Sequence, residues 1–304
     1  MADDTRLDVR KTLKLFIDGK FPRSESGRTS VLADTCGEVL AHVSRASRKD
    51  LREAVEASRR ALPGWSGATP LLRGQILYRM AEMMESRRRE LEEALASVAP
   101  AKAAGAKARR AGAKKPPSPA AEVSCAIDRV VHYAGWCDKF SQVLGCHNPV
   151  AGPYHNFTIA EPTGVIVAVA PDDAPLLALV SLVAPVLCAG NTCVAIPSRV
   201  NPLAGVALAE IVATSDVPPG VVNLLTGDAG ELVPVVAGHR DVDGVLVAGL
   251  PADLARTIRE GVAENLKRVR VLEGVDWHDD AACCGPGWIE PFVEFKTLWH
   301  PASA

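Results

Sequence analysis

Two neighbouring stretches of the sequence decide the fold. EPTGVIVAVAPDDAPLLALVSLVAPVLCAGNTCVAIPSRVNP runs from Glu161 to Pro202, and VPPGVVNLLTGDAGELVPVVAGHRDVDGVLVAGL runs from Val217 to Leu250. Short apolar runs rich in β-branched residues, bounded by Gly, Pro or Asn, are typical of strands buried on both faces of a parallel sheet. The runs that we predict to be such strands are Val165–Ala170, Cys193–Ile196, Val221–Leu225 and Val245–Ala248.

Longer segments between these runs suit crossover helices. They are Pro175–Cys188, Pro202–Ala213 and Gly230–Ala237, and a further helix and strand follow at Pro251–Leu266 and Arg268–Leu272. Strands that alternate with helices in this way predict an α/β fold, a Rossmann-like doubly wound parallel sheet.

The N-terminal part predicts a small β element and then helices. Leu13–Ile17 and Val31–Ala33 read as strands, with a turn at Asp18-Gly19. Apolar residues at helical spacing predict helices at 47–61, 71–95 and 120–144, and Ser47 and Asp50 suit the start of the first helix.

Three further segments predict strands outside the parallel sheet. Cys146–Val150 and Asn156–Ala160 flank a turn at Ala151-Gly152-Pro153, and Phe292–Trp299 alternates with the period of a strand. A monomer is expected to leave Phe292, Phe295, Leu298 and Trp299 partly exposed, and an isolated small sheet has edges that invite pairing.

The segment 102–119, KAAGAKARRAGAKKPPSP, has six basic residues and no acidic or large apolar residue. Such a composition cannot bury enough surface to offset the entropy of ordering, so a flexible basic insert is expected. The insert is the only basis for a nucleic-acid binder, and the whole-chain net charge of −2 argues against that class.

Bulk composition favours a soluble cytoplasmic protein. The chain has 304 residues, 48% of them hydrophobic, with no run long enough to span a bilayer. Met1-Ala2-Asp3-Asp4 is unlike a secretory signal, so the eight cysteines are expected to be reduced thiols.

Several landmarks in order resemble the nucleotide-binding domain of the aldehyde dehydrogenase superfamily. They are Glu161-Pro162-Thr163-Gly164-Val165, Ala184-Pro185, Ala189-Gly190-Asn191-Thr192 and Val217-Pro218-Pro219-Gly220-Val221-Val222-Asn223. The resemblance implies a nucleotide-binding-like domain at 1–144 and 161–275 and oligomerisation strands at 145–160 and 288–304. The catalytic domain that the family places between 275 and 288 is absent.

The family's catalytic positions are altered in this chain. Its oxyanion-holding Asn falls at Asp173, where a carboxylate would repel an alkoxide unless protonated. Its general base falls at Leu272, and Glu273 could serve only after a one-residue slip that turns it to the other face. The nucleophilic Cys belongs to the missing domain, and Cys283-Cys284 lacks the family's Gly-Gln-x-Cys context. No catalytic residue is therefore expected.

The positions that seat NAD in the family form a degenerate pocket here. The Lys-Pro-(Ser/Ala)-Glu that holds the adenosine ribose reads Ile196-Pro197-Ser198-Arg199. Gly227 and Gly249 remain, but Asp253 is expected to cap the following helix and place negative charge where the pyrophosphate would sit. We expect no cofactor, or weak NAD(P) binding at most, with Arg199 able to favour a 2′-phosphate.

A metal site is not expected, because the spacing of His278, Asp279, Asp280, Cys283 and Cys284 matches no zinc motif. The chain is similar to the degenerate C-terminal half of fused two-copy aldehyde dehydrogenases. That implies a pseudoenzyme, a structural subunit that pairs with a full-length aldehyde dehydrogenase or with itself through 146–160 and 292–299. The alternative is an NAD(P)-dependent oxidoreductase acting on aldehydes, alone or with a site completed by a partner chain.

Overall fold

The computed structural model describes residues 11–34, 36–98 and 117–302. The residues at 1–4 and most of the predicted basic insert lie outside these ranges. No helix among the described residues is long and apolar enough to cross a membrane.

A five-stranded parallel sheet forms the centre of the protein, in the order β10-β9-β6-β7-β8. Its strands are β6 (Val165–Val169), β7 (Thr192–Ile196), β8 (Val222–Leu224), β9 (Gly244–Ala248) and β10 (Arg268–Leu272). Every residue of β6, β7, β8 and β9 is buried, as their continuous apolar sequences predict. The Rossmann-like parallel sheet is thereby confirmed.

Helices cover both faces of this sheet. The main helices are α1 (Arg48–Gly67), α2 (Pro70–Ser86), α3 (Arg88–Ala96), α4 (Pro119–Trp136), α5 (Phe140–Leu144), α6 (Leu177–Cys188), α7 (Pro202–Val212), α8 (Ala229–Gly238) and α9 (Ala252–Gly261). On one face α6 and α7 pack on the strands and α2 and α4 pack on these helices, while the other face packs against α1, α8 and α9. The two-sided cover is the doubly wound arrangement that the sequence predicts.

The N-terminal elements differ from the sequence prediction at four places. The first strand covers Lys11–Leu13 instead of Leu13–Ile17, and the predicted helix at 120–144 is interrupted between Trp136 and Phe140. The predicted single helix at 71–95 is broken at Arg87, which leaves helical geometry and bridges Glu90 and Glu210 with its guanidinium. A strand at Val39–Ser44 (β3) was missed; it lies between β1 (Lys11–Leu13) and β2 (Thr29–Ala33).

The start of α1 confirms its predicted cap. The Ser47 hydroxyl accepts hydrogen bonds from the backbone amides of Lys49 and Asp50, and the Asp50 carboxylate accepts one from the Ser47 amide. This reciprocal pair is a capping box, which satisfies amide groups that the helix leaves unpaired.

A separate antiparallel sheet has the order β11-β5-β4, with β4 (Cys146–Asn148), β5 (Tyr154–Pro162) and β11 (Val293–Pro301). β11 pairs with β5 along its whole length, from Val293 opposite Pro162 to Pro301 opposite Tyr154. The predicted exposure of Phe292 is wrong: it precedes β11 in a 3₁₀ turn and is buried beneath the parallel sheet.

Candidate functional site

The loops at the carboxyl ends of the parallel strands lie side by side and form the edge where open α/β sheets place their ligands. Gly249, after β9, donates its backbone amide to the carbonyl of Leu272 at the end of β10 (3.2 Å). A Cβ on Gly249 would lie 2.8 Å from the Cβ of Pro171, in the loop after β6. The fold therefore brings the loops that contain Asp173, Gly249 and Leu272 together, as their order in the sequence implies.

The ribose-binding positions are filled by packing. Ile196 is 1% exposed and contributes to the apolar cluster beneath α1 and α8. Ser198 is also buried, and its hydroxyl donates to a carboxylate oxygen of Asp172 (2.7 Å) while accepting from the amide of Asn201 (3.0 Å). Of the four residues at 196–199, only Arg199 is exposed.

The sequence did not indicate the role of Asp172 in holding Ser198, because the neighbouring Asp173 falls at the position of the family's oxyanion-holding Asn. Asp173 keeps an exposed edge, yet desolvation raises the pKa of its carboxyl above the usual range, and the Asp172 carboxylate adds to the increase. A hydrogen bond from Trp277 and nearby backbone amides oppose the increase. The Asp173 side chain therefore lies exposed at this edge, with a carboxyl that holds its proton more tightly than usual.

The start of α9 does not have the predicted cap. Its N-cap residue is Pro251, with no side-chain hydrogen bond, and Asp253 lies inside the first turn. Proline fixes the start of the helix two positions earlier than a capping Asp253 would require. The carboxylate still lies near the positive end of the helix, so its expected opposition to a phosphate is unchanged.

The two remaining predicted positions have different surroundings. Glu273 follows β10 with its side chain 74% exposed, and one of its carboxylate oxygens lies 3.8 Å from the Arg259 guanidinium. Gly227 follows β8 with a φ of +155°, and a Cβ there would lie 3.1 Å from the amide of Ala46. Glu273 thus belongs to an exposed ion pair, and Gly227 lies against the residue that precedes the α1 cap.

Residues 273–292, here called the connector, link β10 to β11 and pack on α4. The buried Arg129 of α4 donates to the carbonyls of Trp277 (3.1 Å) and Cys283 (3.3 Å) and to the Asp280 carboxylate (2.9 Å). Tyr133 donates to the same Cys283 carbonyl (3.0 Å). The connector adds Trp277, Trp288 and other apolar side chains to the core, although its sequence has no periodic signal.

The connector thiols are not poised as nucleophiles. Cys283 is fully buried and donates to the carbonyl of Asp276 (3.4 Å). Burial raises the pKa of both the Cys283 and the Cys284 thiol, against the opposing effect of Arg129. A thiol with a raised pKa is mostly protonated near neutrality, and the thiolate is the nucleophilic form.

Glu122 of α4 holds the start of α6, a role that no local sequence signal predicted. One of its carboxylate oxygens accepts from the amides of Leu176 (2.9 Å) and Leu177 (3.2 Å). Desolvation raises the pKa of Glu122, and these two hydrogen bonds oppose the increase. A carboxylate of the protein itself thus occupies this helix N-terminus.

A cavity of about 810 Å³ lies between the start of α1 and α8. Its lining includes Lys49 and Arg52, whose charges are paired with Glu25 and Glu56, and none of the predicted site residues. Among the described residues, no group of three or more His, Cys, Asp or Glu could hold a metal ion.

Comparison with known proteins identifies the family. Residues 21–276 match the model of the aldehyde dehydrogenase family. Cytosolic aldehyde dehydrogenase 1 of Elephantulus edwardii is 31% identical over 275 residues, which cover 89% of this chain and 52% of that protein. Retinal dehydrogenase 2 of Gallus gallus is 32% identical over 275 residues, covering 88% and 49%.

Solved structures agree with the sequence relatives. The NAD⁺ complex of an aldehyde dehydrogenase from Bacillus cereus matches with a TM-score of 0.75 and 27% identity, over 86% of this chain and 51% of that one. The chain spans about half the length of these relatives. With its parallel sheet, its strand-end loops and the match over residues 21–276, the chain belongs to the aldehyde dehydrogenase family.

Proposed function

We propose that this chain is a non-catalytic member of its family that acts by association. Its partner is a full-length aldehyde dehydrogenase or a second copy of itself, held through the sheet of β4, β5 and β11. The observation that carries the proposal is the exposed aromatic side of that sheet. The reduced thiols expected from the sequence favour the cytoplasm as the compartment.

Strand register defines this side, here called the aromatic face. Phe295 and Trp299 of β11 point to the same side as Tyr154 of β5, because residues two apart share a face and paired residues lie opposite each other. Phe295 is 47%, Trp299 60% and Tyr154 45% exposed, and the Trp299 and Tyr154 rings meet edge to face at 5.9 Å. Clustered exposed aromatics are enriched at protein interfaces.

The outer edge of β11 supports the same proposal. β11 has nine residues, and within the sheet only its β5 side is paired. An open strand edge presents unpaired backbone groups that can add a strand from another chain. The predicted interface segments, 146–160 and 292–299, contribute to this sheet, except that Phe292 itself belongs to the core.

The strand-end loops support the non-catalytic part of the proposal. A buried Ile196 offers no donor to ribose hydroxyls, and Leu272 offers no base. Burial raises the pKa of the connector thiols and so disfavours the nucleophilic thiolate form. The resemblance places a catalytic domain between the counterparts of β10 and β11, where this chain has the connector.

The second candidate is an NAD(P)-dependent oxidoreductase acting on aldehydes, alone or with a site completed by a partner chain. It is favoured by Arg199, an exposed cation at the end of β7 for which the described residues supply no ion-pair partner, and by the relative solved with NAD⁺. Calorimetry with NAD⁺ and NADP⁺, and NADH formation from short and aromatic aldehydes, separate the two candidates. Micromolar nucleotide affinity with aldehyde-dependent turnover would favour the enzyme.

Light scattering on the purified chain, alone and mixed with a full-length aldehyde dehydrogenase from the same cell, tests the association proposal. The F295S/W299S variant should lose any complex, whereas Y78S, which alters an aromatic residue of similar exposure on α2, should keep it. A monomer under both conditions would contradict the proposal, as would equal complexes for the two variants.

A further inference from the structure

The other side of the β4-β5-β11 sheet, here called the histidine face, carries an unassigned pair of imidazoles. His300 of β11 lies directly opposite His155 of β5 in the antiparallel register. Both residues are exposed. Residues opposite each other share a face, so both imidazoles project on the side away from Trp299 and Tyr154.

Register brings the two histidines within reach of a common ligand. Side chains directly opposite across an antiparallel pair have Cβ atoms about 4.5–5.5 Å apart. Two imidazoles on such positions can turn one nitrogen each towards a shared atom. In the described part of the chain neither imidazole forms a hydrogen bond or an ion pair, so both nitrogens are available.

The chemistry of the pair selects a class of ion. Neutral imidazole is a ligand for Zn²⁺, Ni²⁺ and Cu²⁺, whereas Mg²⁺ and Ca²⁺ prefer oxygen ligands. The described residues contain no group of three or more His, Cys, Asp or Glu suited to a metal. The protein would therefore supply two ligands and leave the remaining positions to water or to a group from outside the chain.

We propose that His155 and His300 form a two-imidazole binding site for a divalent transition metal of this class. The site lies on the histidine face, so it does not depend on the aromatic face or on the proposed association. A third histidine, His147 of β4, lies on the same side, opposite Phe157. It is diagonal to His155, about 7–8 Å away at the backbone, and is not part of the pair.

The test is calorimetric titration of the full chain, without an affinity tag, with Ni²⁺. The wild-type chain should bind one ion, and H155N and H300N should each weaken binding on the order of tenfold or more, because one imidazole holds the ion far less well than two. H42N, which alters an exposed histidine of β3 in another sheet, should bind like the wild type. Circular dichroism checks that each variant is folded.

A second measurement locates the ion. Added in substoichiometric amounts, paramagnetic Cu²⁺ should broaden the imidazole NMR signals of His155 and His300 before that of His42. Unchanged Ni²⁺ affinity in both H155N and H300N would overturn the proposal. So would equal weakening in H42N, or broadening that spares the two paired imidazoles.

Discussion

The parallel sheet and the β4-β5-β11 sheet, whose strands β6 and β5 flank Thr163 in the chain, differ in how far helices cover them. β6 follows β5 closely along the chain, yet every residue of β6 is buried, whereas β5 keeps Tyr154 and Phe157 exposed. Both strands are rich in β-branched or aromatic residues. The parallel strands are joined by crossover helices that cover their faces, while β4 and β5 are joined by a short hairpin that brings no cover. The type of connection between the strands, more than their composition, therefore decides which sheet remains exposed to a partner.

The largest effect should come from the covered sheet. Ile166→Ala removes a fully buried side chain of β6 and should lower the free energy of unfolding by about 3–4 kcal/mol, through lost burial and the cavity left behind. The matched change on the open sheet, Phe295→Ala, should cost the monomer less than about 1 kcal/mol. Urea denaturation monitored by circular dichroism measures both, and equal losses would remove the contrast.

Ile196→Lys sharpens the comparison at the edge of the covered sheet. The change restores the family's lysine but places an ammonium in the apolar cluster beneath α1 and α8, so it should cost about 3 kcal/mol of unfolding free energy. The exposed neighbour offers a control, and Arg199→Lys should leave stability unchanged. Should Ile196→Lys remain fully stable and bind NAD⁺ at micromolar concentration, the pocket is intact and the non-catalytic account fails.

Arg129→Met tests whether the hydrogen bonds of Arg129 hold the connector in place over the α4 side of the core. The change leaves carbonyl groups of the connector without their buried donor and should cost about 2 kcal/mol. It should also make Cys283 react faster with a thiol reagent and shift the emission of Trp277 and Trp288 to longer wavelength. Arg256→Met, at an exposed ion pair of α9, should change none of these. If Cys283 stays protected from the thiol reagent in Arg129→Met, the connector is held by packing alone and not by Arg129.

Glu122 gives the smallest expected effect, a pH dependence. Its folded pKa is raised above the unfolded value mainly by burial, so the folded state binds the proton more tightly. The free energy of unfolding should therefore fall as pH rises from the unfolded pKa, about 4.3, through the higher folded pKa, and then level off. Glu122→Gln keeps an acceptor for the α6 amides and should remove this component. Denaturation at several pH values measures the free energy of unfolding of wild type and variant. The difference between the two should vanish at pH values below the unfolded pKa.

The covered sheet was predictable from local sequence, because strands buried on both faces must be apolar throughout. β6, β7, β8 and β9 were placed within one residue of their observed bounds. The capping box of α1 was also predictable from local sequence, since Ser47 and Asp50 lie close together in the chain and form it without any distant residue. β3 was missed because its Ala and His residues weaken the strand pattern.

The strand-end loops and the connector were less predictable because long-range contacts define them. Nothing near Glu122 in sequence indicates that it holds α6, and nothing near Arg129 indicates that it binds the connector. The error at Asp253 came from a competing signal, since Pro251 fixes the start of α9. Phe292 was predicted exposed from strand alternation, but β11 begins one residue later.

The most direct test of association through the open sheet is amide hydrogen exchange of the intact chain across a range of concentrations, or with the full-length aldehyde dehydrogenase added. Peptides from 293–301 should exchange more slowly as complexes form, because the outer edge of β11 becomes paired or covered, while peptides from 165–169 stay equally protected throughout. Exchange at 293–301 that stays fast and unchanged under every condition would contradict the account.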